Sequence, residues 1–340
     1  MAAVKRAPSF DPPPPTGEIR PGLFARFPEG YSCWRRWPLL VVLHGQYREP
    51  AYDFGIWGPL ADAAGMILIC PIYGTTGGTT RSPQADAAVL DEVAAMILRH
   101  NVDPDRVYLS GISMGGAMTW RLGQAYPDRW AALGPEIHGP KAFADGYPFL
   151  GNVADVPLFV MEGEFDGLNT VYNRRAAKEL RAAGGPFEYH ELRNFGHDRM
   201  TWLYPMFLEF AAARRRDPHP RRIDHAAMNA YEGTRAWLSI RSVSGGAAFG
   251  ARDGAFNPRD LCRIRADIAE STITLTALAG KPAEVEVFHD PLLMTTPMTI
   301  VIGDRKTPWK PVFDAGKLLE RVRTTGDRGQ LYGGSLRVRW

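Results

Sequence analysis

The chain has 340 residues, 45% of them hydrophobic and 23% charged, which is the composition of a globular protein long enough for one large domain or two ordinary ones. Its 40 basic and 37 acidic side chains leave a net charge of +3, too mild an excess for a nucleic-acid binder, and no stretch reaches the roughly 20 apolar residues of a membrane span. Three cysteines without a Cys-x-x-Cys pair argue against a disulfide framework and a zinc site; Cys70 reads as a small buried hydrophobe, and a Cys33–Cys262 bridge has no support in the sequence.

Residues 1–22, with prolines at 12–15, read as an extended or disordered lead-in. The run 38–43 (PLLVVL) is short, aliphatic and continuous, as a strand buried on both faces must be. A helix over 52–64 follows, then a second buried strand over 66–72. A Gly/Thr-rich loop comes next, and helical spacing over 84–100 sets Val89, Val93, Ile97 and Leu98 on one side. Strands are expected at 106–110, 155–161 and 187–193, with helices at 114–126, 170–183 and 199–213. This alternation calls for a mainly parallel sheet with helices on both faces. The basic residues Arg214, Arg215, Arg216, Arg221 and Arg222 read as a solvated helix end running into a polar, Pro-bearing linker. Beyond it, period-two segments at 236–243, 262–269, 271–278, 283–289, 298–302 and 335–340 predict antiparallel strands, with one helix near 314–324. The expected organisation is therefore a lead-in (1–22), an α/β domain (23–220) and a small β-rich, sandwich-like accessory domain (223–340).

The sharpest chemical signal is Gly111-Ile112-Ser113-Met114-Gly115, placed between a predicted strand and a predicted helix. This is the context of a nucleophile elbow, whose tight turn tolerates only tiny neighbours and lifts the serine hydroxyl above the sheet edge. Serine needs a base to take its proton, and the base needs a carboxylate to orient it. In α/β-hydrolases these follow in the order acid, then histidine. His197, in a loop past the strand 187–193, suits the base. His138 would break that order, His190 is mid-strand, and His44 reads as a structural residue of its loop. Asp166, between Phe165 and Gly167, is the favoured acid, with Glu164 the alternative and Glu162 behind it. The expected oxyanion donors are the backbone N–H groups of Met114 and Gln46.

On these residues the chain resembles a known family. Residues 102–139 (VDPDRVYLSGISMGGAMTWRLGQAYPDRWAALGPEIHG) closely resemble bacterial esterases of the polyhydroxybutyrate-depolymerase and feruloyl-esterase group, and more loosely prolyl-oligopeptidase-like esterases and dienelactone hydrolases. Pro38 to Gly45 is similar to that group's oxyanion strand and loop, and Phe195-Gly196-His197 to its histidine motif. The segment EGEFDGLN departs from the usual His-Gly-x-x-Asp opening. The resemblance spans roughly residues 30–215 and implies an α/β-hydrolase fold and cofactor-free hydrolysis of carboxylic esters through an acyl-enzyme. Alternatives are a prolyl-oligopeptidase-type serine peptidase and a non-catalytic binding protein on the same scaffold.

Only the 16 residues 140–155 separate two strands where a cap would sit, so an open cleft is expected, suited to bulky or polymeric esters and flanked by aromatics such as Trp202 and Tyr47. The expected partner is a small-molecule or polymeric ester, with no metal, nucleic acid or membrane. The N-terminus lacks an apolar h-region, so the reading is cytoplasmic, or secreted if a leader has been removed.

Overall fold

The computed structural model describes residues 10–73, 83–140, 149–228, 231–243, 261–280, 282–294 and 296–340. Its larger sheet is built from β1 (Gly17–Arg20), β2 (Leu23–Arg26), β3 (Trp37–Leu43), β4 (Ile67–Pro71), β5 (Val102–Ile112), β6 (Ala132–Glu136), β7 (Leu158–Gly163) and β8 (Phe187–Leu192), in the order β1-β2-β4-β3-β5-β6-β7-β8. From β4 to β8 all neighbours are parallel, while β1 and β2 form an antiparallel hairpin on the β4 edge. Among the described residues four α-helices lie between these strands, α1 (Pro50–Ala63), α2 (Pro83–Arg99), α3 (Met114–Ala125) and α4 (Leu168–Ala183), and α5 (Tyr204–Ala212) follows β8.

The aliphatic run of β3 is explained by its two covers. Leu39, Val41 and Leu43 pack with Val89 and Val93 of α2, Trp120 and Leu122 of α3 and Leu180 of α4. Leu40 and Val42 face the other way, onto Trp57 and Ala61 of α1 and Phe207 and Leu208 of α5. Every residue of β3 is buried, so no position could be left polar for solvent. Edge strand β8 has no fully buried residue, and its sequence FEYHEL is correspondingly mixed.

Two antiparallel-rich sheets follow. β9 (Arg222–Ala227), β12 (Cys262–Ala269), β13 (Thr272–Ala279), β15 (Met298–Ile302) and β16 (Arg305–Trp309) make one, in the order β16-β15-β13-β12-β9. The other is β10 (Thr234–Arg235), β11 (Leu238–Val243), β14 (Pro282–Phe288) and β17 (Ser335–Arg339). Helix α6 (Ala315–Thr325) lies between β16 and β17 in the chain. One strand of each sheet illustrates the shared core: Cys262, Ile264, Ala266 and Ile268 of β12 alternate inward, and Val285 and Val287 of β14 meet them.

Three expectations need correction. The lead-in is not unstructured to residue 22, because β1 already pairs in the main sheet. The polar linker gives way at Arg222 to β9, which pairs with β12. Arg216 is no solvated helix end: its buried guanidinium contacts Asp105, the carbonyl of Asp128 and Asp327. The three cysteines are free, so Cys33 and Cys262 are not bridged. The short segment that bears on a cap lies largely at 141–148, outside the described residues.

Candidate active site

Ser113 stands between β5 and α3 with φ 56° and ψ −111°, a positive-φ conformation that a residue with a Cβ rarely adopts. Glycines permit the turn. A Cβ on Gly115 would lie 2.1 Å from the carbonyl oxygen of Leu43, and one on Gly111 2.5 Å from that of Gly115. The Ser113 N–H is held by the carbonyl of Glu136 at 2.9 Å, tying the elbow to β6.

The structure brings Ser113, His197 and Asp166 together. His197 Nε2 lies 2.8 Å from Ser113 Oγ, and His197 Nδ1 lies 2.9 and 3.0 Å from the two oxygens of Asp166. These loops come from β7, β8 and the elbow, and meet because Gly163 lets the chain pass: a Cβ there would sit 2.2 Å from the carbonyl oxygen of Gly196. Backbone bonds from Phe165 N to Phe195 O and from Glu164 N to Leu192 O lock the acid loop to the histidine loop.

Glu164 is oriented elsewhere, accepting the N–H of Asn194 at 3.1 Å, so the alternative acid does not reach the imidazole contacts that Asp166 makes. His138 is buried beside α3, where its carbonyl accepts the Trp120 indole N–H. His190 stacks on Phe159 at 4.3 Å. His44 is buried against Tyr73, whose hydroxyl bonds the His44 carbonyl, in keeping with a structural residue.

The electrostatics suit proton transfer. The hydrogen bond that His197 donates to Asp166 raises the imidazole above its ordinary 6.5, against the lowering effect of burial. Burial pushes Asp166 up, but the bond to His197 and its charge outweigh this and hold Asp166 below its ordinary value. Behind the histidine loop lies a buried polar set that sequence reading missed. Glu136 accepts the N–H of Met200 at 2.6 Å and the hydroxyl of Tyr204 at 2.7 Å, and burial pushes its carboxyl up to about 7. Arg199 pairs with Asp53 at 2.7 Å and donates to the Tyr204 hydroxyl. A glutamate ending the fully buried strand β6 was the available signal.

Of the two expected oxyanion donors, one follows the serine in the chain and the other belongs to the loop after β3. Met114 opens α3, where a helix leaves its first N–H groups without intrahelical partners. The loop of Gln46 turns at Gly45–Arg48, and a Cβ on Gly45 would lie 3.8 Å from Ser113 Cβ. The segments that carry Gln46, Asp166 and His197 expose apolar side chains: Tyr47 (75% exposed), Phe165 and Leu168 (66% each) and Trp202 (50%), which packs on Phe195. Among the described residues no His, Cys, Asp and Glu cluster could hold a metal ion, and no helix is long and apolar enough to cross a membrane.

No family model matches the chain. It is 33% identical over 136 residues to a bifunctional acetylxylan esterase/xylanase of Neocallimastix patriciarum, covering 38% of this chain and 19% of that protein. It is 28% identical over 131 residues to poly(3-hydroxyalkanoate) depolymerase C of Paucimonas lemoignei, covering 35% and 31%. The likeness to esterases is borne out. The chain spans about a fifth and under a third of the lengths of these two relatives. A solved thermostable esterase overlays with a TM-score of 0.48 at 21% identity, over 57% of this chain and 59% of that one.

Proposed function

We propose that the chain is a serine hydrolase of carboxylic esters, with Ser113 as nucleophile, His197 as base and Asp166 as the orienting acid. The observation that carries this reading is the continuous hydrogen-bond relay from Asp166 through both ring nitrogens of His197 to Ser113 Oγ. In the reaction Ser113 Oγ attacks the ester carbonyl carbon while His197 Nε2 accepts its proton. Asp166 stabilises the imidazolium. The carbonyl oxygen becomes an oxyanion that takes hydrogen bonds from the N–H groups of Met114 and Gln46, donors worth on the order of a hundredfold in rate each. Collapse breaks the ester C–O bond, and His197 returns the proton to the departing alcohol. Water, deprotonated by His197, then releases the acid from Ser113.

The substrate class we propose is a bulky or polymeric ester in an open cleft. Support comes from the exposed apolar side chains of Tyr47, Phe165, Leu168 and Trp202, which stand on the segments that carry Gln46, Asp166 and His197. The names of the two relatives, one acting on acetylxylan and one on polyhydroxyalkanoate, agree with this.

For residues 223–340 we propose an accessory domain that braces the catalytic domain of residues 23–220. Reciprocal bonds support this role: Asn152 Nδ2 donates to the carbonyl of Ala226 and Asn152 Oδ1 accepts the Ala226 N–H, both at 2.8 Å. Arg121 of α3 reaches the buried Glu232 at 3.0 Å.

A fluorophosphonate probe followed by peptide mass spectrometry tests the mechanism. The label is expected on Ser113 alone, and lost in His197→Ala. Failure of the folded protein to label would favour a binding protein instead.

A further inference from the structure

Glu162 is the penultimate residue of strand β7, four residues ahead of Asp166, and has no exposed surface. Its carboxyl is fixed on both sides: Oε1 accepts the N–H of Gly163 at 2.9 Å, and Oε2 accepts the side-chain amide of Asn173 from α4. It is also in hydrogen-bonding contact with the Asp166 carboxyl. Two carboxyl groups in contact cannot both ionise readily, and the pair behaves as one titrating unit. The geometry decides where the charge lies. Asp166 faces the imidazole of His197 with both oxygens and takes a further bond from Asn169 at 3.2 Å, whereas the partners that fix Glu162 are neutral amides.

We propose that Glu162 is a positioning residue of the triad, a protonated carboxyl whose O–H donates to Asp166 and holds its other lone pairs toward His197. This role rests on the triad reading of Ser113, His197 and Asp166. Three neutral or cationic donors (Glu162, Asn169 and His197) then share the Asp166 oxygens, which fixes the carboxylate plane. Burial, and next the charge of Asp166, push the Glu162 carboxyl up to about 8, consistent with a retained proton at neutral pH. The charged and titratable groups facing it are Asp166 on its own loop, His197 behind that on the histidine loop, and Tyr189 on β8. Tyr189 bonds Glu191, which Arg174 of α4 pairs. Asn173 is the α4 contact.

The test compares wild type, Glu162→Gln and Glu162→Leu. The amide of glutamine keeps a donor for Asp166 and cannot ionise; leucine removes the donor. Turnover of p-nitrophenyl butyrate between pH 5 and 9.5 is expected to show kcat within about fivefold of wild type for Glu162→Gln. For Glu162→Leu, kcat falls at least tenfold with KM unchanged. Wild type is expected to show an alkaline inflection near 8 that Glu162→Gln lacks. The His197 resonance of 13C-histidine-labelled protein gives the same comparison without turnover: a second step near 8 in wild type and none in Glu162→Gln. Matching second steps in both proteins, or a folded Glu162→Leu with wild-type kcat, would overturn the role. If Glu162→Leu does not fold, the Glu162→Gln titration decides. Failure of the triad reading shows separately, as unchanged turnover in Ser113→Ala.

Discussion

Arg216 Nη2 lies 2.6 Å from Asp327 Oδ2, with both side chains almost fully buried, and this pair joins the end of the α5 segment to the turn after α6. The same guanidinium holds Asp105 and the carbonyl of Asp128. Burial pushes the Asp327 carboxyl up, but Arg216 outweighs it and holds it below the ordinary 3.8. For a depressed carboxylate, the stabilisation is present above its unfolded value and is lost as pH falls through the folded one. Arg216→Met strands buried carboxylates and is expected to cost about 3–5 kcal/mol by urea unfolding at pH 7. It should cost less at pH 3. An effect under 1 kcal/mol at pH 7 would show that the pair is not what joins the two parts.

Gly163 is a steric hinge between the acid and base loops. Gly163→Ala must push its Cβ away from backbone oxygens of Gly196 and Phe195, at 2.2 and 2.7 Å. Displacements of about 1 Å at a reacting centre can cost on the order of a hundredfold in rate. Gly163→Ala is therefore expected to lower kcat by at least tenfold while circular dichroism still reports a folded chain. Gly167→Ala serves as a control, since its Cβ would meet open space although its φ of 60° adds strain. Equal activity of both variants would remove the hinge from the account.

Asp166 and Glu164 separate cleanly by mutation. Asp166→Asn reverses the hydrogen-bonding partner of His197 Nδ1 and favours the wrong tautomer. In serine proteases the corresponding change costs about 10⁴ in kcat. A loss of at least a hundredfold is expected here. Glu164→Gln, whose carboxylate accepts the Asn194 N–H, is expected to stay within about threefold. The reverse ranking in steady-state kinetics would transfer the acid role to Glu164.

The acid limb of the pH profile should report His197. Only neutral imidazole accepts the Ser113 proton, so kcat/KM rises with pH through its ionisation. Asp166 raises that value above 6.5, so the midpoint is expected above 6.5. In Asp166→Asn the residual activity should show a lower midpoint, since the first cause of the shift has gone. A wild-type midpoint below 6.5 would contradict the assigned partner.

Much of this was legible because the signals were short-range. Leu39 to Leu43 had to be apolar on both faces, and Gly111 and Gly115 announce a turn that a larger residue would block. What escaped was set by tertiary contact. β1 is four residues of mixed polarity (GEIR) whose order comes from pairing with β2. β9 begins with arginine and carries Asp224 and His225; Arg263 and Arg265 of β12 satisfy the former and the Glu232 carbonyl the latter. Arg216 lies among basic neighbours, and no local pattern tells which arginine turns inward. Glu162 reads only as the third candidate for the acid until the fold sets it beside Asp166.

The most direct test of the central claim is hydrolysis of p-nitrophenyl acetate and butyrate near pH 8 by wild type and by Ser113→Ala, both verified as folded. The account predicts turnover by wild type and a loss of at least a thousandfold in the variant, about the scale of removing a triad member. Equal activity in the two proteins, or none in either, would contradict it.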